Sequence, residues 1–196
     1  MRVLSKDRLR GLGARARAEL ALRRPGNRGR VRYGEGPVFY DAMPKLAVRG
    51  RLVAGAGLHI YSSPIQTQLT VEEGAELRMG DGVGINSGAN IYAVESIEID
   101  DGAMVGPMVS IYDTNFHPID EGRATKKAPV RIGRNVWLGH SAVILPGVEI
   151  GDHSVVAAGA VVTSSVPPRS VYAGNPGKVL RELRASDGWR RNSDPN

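Results

Sequence analysis

A chain of 196 residues, 41% of them hydrophobic, is long enough to bury a core of its own, and the absence of cysteine excludes a disulfide framework, a thiolate metal site and a cysteine nucleophile. No stretch approaches the roughly 20 apolar residues of a membrane span, and no apolar signal-peptide run opens the chain, so a soluble, cytoplasmic protein is expected. The net charge of +6 is local: residues 1–33 hold 11 Lys/Arg against 2 Asp/Glu, and the remainder holds 15 against 18.

That basic stretch reads as a helical arm over 1–33. Leu9, Leu12, Ala16 and Leu20 recur at spacings of three and four, as on one helix face, with Arg8, Arg10, Arg15, Arg17, Arg23 and Arg24 around them. Gly11 and Gly13 weaken the helix. The plain expectation is a surface helix with a solvated basic face; the alternative is peripheral contact with an anionic membrane surface or a polyanionic substrate. Nucleic acid is not expected, because no binding motif is present and aromatic residues make up only 5% of the chain.

Residues 34–168 carry an internal repeat. From Ile132 the sequence divides into IGRNVW, LGHSAV, ILPGVE, IGDHSV, VAAGAV and VTSSVP, with Ile132, Leu138, Ile144, Ile150, Val156 and Val162 in the first column. The fifth column, Val136, Ala142, Val148, Ser154, Ala160 and Val166, is small or β-branched. Blocks from Met79 and from Ile99 continue the pattern. A period of six suits neither an amphipathic helix nor a simple alternating strand. It predicts an all-β solenoid whose coils have three flat sides of about six residues, the first column inward and strands stacked at about 4.8 Å.

The count breaks ahead of Ile132. Ile99 and Ile132 stand 33 residues apart, not a multiple of six, which predicts an extruded loop at 117–131, HPIDEGRATKKAPVR, with His117 at its base. Histidine titrates near neutral pH and is the natural general base for making a hydroxyl or amine nucleophilic. Of the other histidines, His59 falls in a poorly patterned coil, and His140 and His153 fall at hexad positions expected to face outward.

The segment from Val130 to Arg184, VRIGRNVWLGHSAVILPGVEIGDHSVVAAGAVVTSSVPPRSVYAGNPGKVLRELR, resembles the hexapeptide-repeat acyltransferases, specifically the maltose, galactoside and polysaccharide O-acetyltransferase branch, and the resemblance extends over about residues 50–184. It implies a left-handed parallel β-helix and an acetyl-CoA dependent acetyltransferase working by direct transfer. His117 with Pro118 matches the general base. Asn86 matches an asparagine beside the acceptor, with Asn90 a second candidate, and Trp137 matches a tryptophan near thioester and acceptor. The backbone N–H of His140 matches a donor to the thioester oxygen. Ala158 and Thr163 match positions along the pantetheine arm, and Lys178 and Arg181 match cations near the coenzyme's phosphates. Ser164 departs from the lysine common in galactoside-type sequences, which removes one phosphate contact. Asp113 and Asn115 lie close enough to His117 to orient it or the acceptor.

The resemblance further implies a homotrimer with coenzyme A held between neighbouring coils. A sugar or polysaccharide precursor is the expected acceptor. An amino sugar or small natural product accepting on nitrogen, or a non-catalytic β-helix used for assembly, are the alternatives. No metal is expected, since the paired histidine spacing of the zinc-binding relatives of this fold is not evident. Within 169–196, Asn175 and Pro176 read as the cap and first position of a helix through Leu183 that closes the prism, followed by a polar, frayed tail.

Overall fold

The computed structural model describes residues 6 to 191, with side chains from Gly13 onward, and its body is a three-faced parallel β-solenoid, the left-handed β-helix expected from the hexads. Face 1 stacks Val31–Tyr33, Arg51–Ala54, Glu76–Met79, Ser96–Ile99, Val130–Ile132 and Glu149–Ile150. Face 2 runs from Val38–Tyr40 through His59–Tyr61, Gly84–Ile85, Met104–Val105, Trp137–Leu138 and Val155–Val156 to Ser170–Gly174. Face 3 stacks Lys45–Val48, Gln68–Val71, Asn90–Ala93, Ser110–Tyr112, Val143–Ile144 and Val161–Val162.

Where the hexads run unbroken, from Ile132 onward, the register confirms that three sixes make one coil, while the step from Ile99 to Ile132 spans the inserted loop. Ile99 lies on Ile132 and Ile132 on Ile150; Val105 lies on Leu138 and Val156; Ile111 lies on Ile144 and Val162. All six first-column residues are at most 2% exposed, so each contributes about 1.5–3 kcal/mol of burial that a lone coil could not secure. The fifth column is buried as well and fills the corners.

The outer surfaces differ by face. Face 1 carries charge in register, Arg78 beside Glu98, then Arg131, then Glu149, with ion pairs Arg51–Glu76, Arg78–Glu76 and Arg131–Glu98. Face 2 presents Met104, Trp137, Val155 and Val171 in one column, and face 3 presents Ser110, Val143 and Val161.

Four expectations are corrected. The C-terminal helix is absent: Ser170–Gly174 and Gly177–Glu182 form an antiparallel hairpin added to face 2, turning at Asn175 and Pro176. The local cap signal loses to strand pairing and to Tyr172, buried at 1%, whose ring lies so close to Gly177 that a Cβ there would stand 2.1 Å from Cε1. Tyr172 and this hairpin close the end of the prism.

At the other end the helix Lys6–Leu22 forms despite its glycines, but docks through Ala14, Ala18, Ala21 and Leu22 near Phe39. The expected apolar face is not the docking face, since Ala16 is exposed and Leu20 is 72% exposed; the side chains of Leu9 and Leu12 lie outside the described residues. Small alanines let the helix approach the first coil closely, and Arg17 donates to Phe39 O there.

His153 is buried at 2% rather than outward, because its left-handed backbone (φ 62°) turns the ring under the corner, where Asn135 Nδ2 stands 2.9 Å from Nδ1. The tail through residue 191 is docked rather than frayed: Asn135 Nδ2 donates to Trp189 O, Arg191 N donates to Asn135 Oδ1, and the Arg191 guanidinium lies 4.7 Å over the Trp189 ring.

Candidate active site

The loop that interrupts the hexads leaves the corner between faces 3 and 1 and returns to it. Its base is a short antiparallel bridge, Thr114 against Lys127, with Asn115 N donating to Lys126 O and Ala128 N to Asp113 O. His117 N donates to Asn115 O at 2.7 Å, a γ-turn with Phe116 at its centre at φ 61°. This conformation is strained for a bulky residue and persists only where the surroundings hold it. Here Thr114 Oγ1 accepts the Phe116 N–H, and the Phe116 ring packs edge-on against Tyr92 and Tyr112. The His117 side chain is thereby left exposed at the rim of face 3.

The two tyrosines are themselves fixed. Tyr112 OH accepts from Asn90 Nδ2 at 3.1 Å, and Tyr92 OH donates to Glu72 Oε1 at 2.6 Å, Glu72 also pairing with Arg49. The hydrogen bond to Glu72, then burial, raises the Tyr92 phenol above its ordinary pKa; the same bond, then Arg49, lowers that of Glu72. Sequence reasoning passed over Phe116, Tyr92, Tyr112 and Thr114. The signal was present in the dipeptide Ile-Tyr at 91–92 and again at 111–112, one coil apart.

Asp113 and Asn115 divide. Asp113 is wholly buried, and its carboxylate accepts the backbone N–H groups of Val94 and Glu95, so it holds the corner beneath the loop and does not reach His117. Asn115 is half-buried in the γ-turn.

The other expected residues gather elsewhere. Asn86, His140 and Ala158 lie at the corner between faces 2 and 3, the turn of Gly106 and Pro107 standing between the first two, and Trp137 stands 45% exposed on face 2. At the corner between faces 1 and 2, aspartate side chains accept the N–H of the second turn residue: Asp81 from Ala56, Asp101 from Asp81 and Asp152 from Arg134. At the corner between faces 2 and 3 the equivalent residues are Ser87, Pro107, His140 and Ala158. Ser87 N is taken by Asn86 Oδ1, proline has no N–H, and His140 and Ala158 N–H donate to no group among the described residues.

Unpaired amides at a surface turn are ready donors. Beside them Gly106 and Gly139 let successive coils stack closely, since a Cβ would meet Leu138 O at 2.5 Å or Ala158 N at 2.6 Å.

Thr163 is exposed on the corner between faces 3 and 1, and Lys178 and Arg181 are exposed on the terminal hairpin. Asn90 is spent on Tyr112. Within one chain, then, His117 does not meet Asn86, Trp137 or His140. Face 3 separates them by the five residue steps from Met108 to Asp113, about 16 Å at the strand rise. No group of three or more metal-ligating side chains occurs among the described residues.

The family description Bacterial transferase hexapeptide (six repeats) matches residues 129–164. Galactoside O-acetyltransferase of Escherichia coli is 32% identical over 184 residues, covering 81% of this chain and 90% of that protein. A Saccharomyces cerevisiae protein named as an acetyltransferase is 43% identical over 123 residues, 57% of this chain, and the match spans only 62% of the yeast protein's length. Among solved structures, a galactoside acetyltransferase in complex with coenzyme A is 27% identical, covers 91% of this chain and 82% of that one, and superposes with a TM-score of 0.55. With the hexads, the histidine loop and the row of free amides in place, the chain belongs to the hexapeptide-repeat acetyltransferase family.

Proposed function

We propose that this protein is an acetyl-CoA dependent O-acetyltransferase acting on a hydroxyl of a sugar or polysaccharide precursor, with each active site built from two copies of the chain. Membership of the family supports the acetyl transfer, and the named activity of the E. coli relative supports a saccharide hydroxyl. Coenzyme A in the galactoside acetyltransferase structure supports the donor. The observation that carries the two-copy reading is the separation of His117 from Trp137, His140 and Asn86 on opposite edges of face 3. A neighbouring copy that sets its face 2 edge beside this loop brings them together, and a homotrimer repeats that contact three times without open ends. The apolar and small outer columns of faces 2 and 3 suit burial in such contacts, whereas the charged ladder of face 1 suits solvent.

In this site His117 takes the proton of the acceptor hydroxyl as that oxygen attacks the acyl carbon, and later returns it to the departing sulfur. The bound coenzyme supplies the acetyl thioester. The free N–H of His140 stabilises negative charge developing on the carbonyl oxygen, that of Ala158 holds an amide of the extended arm, and Asn86 and Trp137 orient the acceptor. Thr163 lines the arm further along, and Lys178 and Arg181 meet phosphates.

Mixed oligomers test the arrangement. His117→Ala and Trp137→Ala chains, each inactive alone, should recover a fraction of wild-type thiol release when refolded together, because some interfaces then pair two intact halves. No recovery despite demonstrated mixing would reject the shared site. Thiol release against a panel of sugars and amino sugars identifies the acceptor and decides oxygen against nitrogen. Calorimetry with Lys178→Ala/Arg181→Ala checks the coenzyme contacts, and unchanged affinity removes them.

A further inference from the structure

The helix Lys6–Leu22 buries Ala14, Ala18, Ala21 and Leu22 and leaves Ala16 and Leu20 exposed. Ala14, Ala18 and Ala21 are buried against the first coil, while Leu20 is 72% exposed. A single exposed leucine is ordinary on a protein surface. This one sits at the edge of a dense run of arginines: Arg24, Arg28, Arg30 and Arg32 are all exposed, and among the described residues none makes an ion pair or a side-chain hydrogen bond. Arg23 is tied to Tyr33 OH at 2.7 Å and pairs with Glu19. It lines two adjoining surface depressions that share Val31 and Tyr33, one also reached by Arg28 and the other by Arg32.

On the coil several cations are answered in place, as in Arg49–Glu72, Arg131–Glu98 and Arg134–Asp152. Within residues 13–33 seven arginines stand against one acidic residue, Glu19, so positive charge is concentrated at this end of the prism, opposite the hairpin that carries Lys178 and Arg181.

We infer that the N-terminal end of the prism is a docking surface for an anionic lipid bilayer, with Leu20 entering the interface and Arg24, Arg28, Arg30 and Arg32 meeting headgroup phosphates. Charge complementarity selects an anionic partner, since unpaired arginines near such a surface each gain favourable energy within a Debye length. The outward leucine selects a bilayer over a soluble polyanion. It gains nothing from a hydrated chain of charges and gains its full burial from the acyl boundary. The inference rests on exposure and charge alone and is independent of the transferase reading.

The test is sedimentation of the full chain with vesicles of phosphatidylcholine alone or with about one-third phosphatidylglycerol, at about 0.05 and 0.15 M salt. Binding should require the anionic lipid and weaken at the higher salt. R28E/R30E/R32E should lower vesicle affinity by roughly a hundredfold or more, and L20S, which leaves every charge in place, by about tenfold. Both variants should keep the wild-type circular dichroism and melting temperature, because the altered side chains are exposed. Equal binding to neutral and anionic vesicles, or to neither, overturns the inference. So does wild-type affinity of L20S for anionic vesicles, which together with competition by heparin would make the patch a site for soluble polyanions.

Discussion

The rings of Phe116 and Tyr92 meet edge to face with centroids 5.0 Å apart and planes at 65°, and Phe116 immediately precedes His117. The contact anchors a strained γ-turn to the outer wall of face 3, so the position of the proposed base is set by packing outside the core. Phe116→Ala should lower kcat by about tenfold or more with KM for coenzyme A unchanged, since misplacement of a reacting group by about 1 Å can cost up to a hundredfold. Phe116→Gly relieves the backbone strain at φ 61° yet removes the ring, and is expected to be as impaired as alanine. If glycine restores turnover, the backbone and not the ring sets the turn.

Asp113 is expected to matter for stability and not for the chemical step. Its buried carboxylate accepts from Val94 and Glu95, and Asp113→Ala strands both amides. The cost should be about 3 kcal/mol in denaturant unfolding. Activity per folded molecule should stay close to wild type; a large loss of kcat in the fully folded variant would place Asp113 in the mechanism.

Gly139→Ala puts a methyl 2.6 Å from Ala158 N, against backbone that cannot swing away as a side chain would. Adjacent coils must part, at about 1–3 kcal/mol of stability. The same methyl intrudes on the row of free amides, so coenzyme A affinity measured by calorimetry should fall together with the midpoint of unfolding. A variant that keeps both would show that the coils part here without cost and that the coenzyme does not use these amides.

His153 makes the fold sensitive to mild acid. Burial, and after it the charge of Arg169, lowers its pKa in the folded state, partly offset by Asp152 and Asp187, and Arg190 acts in the same direction as Arg169. The unfolded chain therefore binds more protons below about pH 6.5, and stability is complete above that value and declines as pH falls through the window beneath it. A proton on Nδ1 would face the Asn135 amide, whose orientation is set by Trp189 O and Arg191 N, and would weaken the latch on the tail. Between about pH 7.5 and 5.5 the wild-type melting temperature should fall by about 3 °C more than that of His153→Gln. Equal declines would assign the effect to other groups.

Much of this architecture is written in local spacing. The first-column aliphatics announce the prism because a period of six suits a coil of flat sides about six residues long, and the 33-residue gap from Ile99 to Ile132 announces the loop and places His117 at its base. Those features are legible because each depends on residues close in sequence or on one repeated distance. What the sequence left open depends on partners far along the chain. Asn175-Pro176 has the chemistry of a helix start, yet the segment after it pairs back onto Ser170–Gly174. Leu9, Leu12, Ala16 and Leu20 have helical spacing, yet close approach to the first coil favours the alanines. His153 is polar, yet Asn135 and the tail satisfy it below the surface. Most of all, the family resemblance brings Asn86, Trp137, His140 and His117 into one reading, whereas the folded coil sets His117 across face 3 from the other three, because turns stack in columns according to the corner they occupy and not according to their shared chemistry.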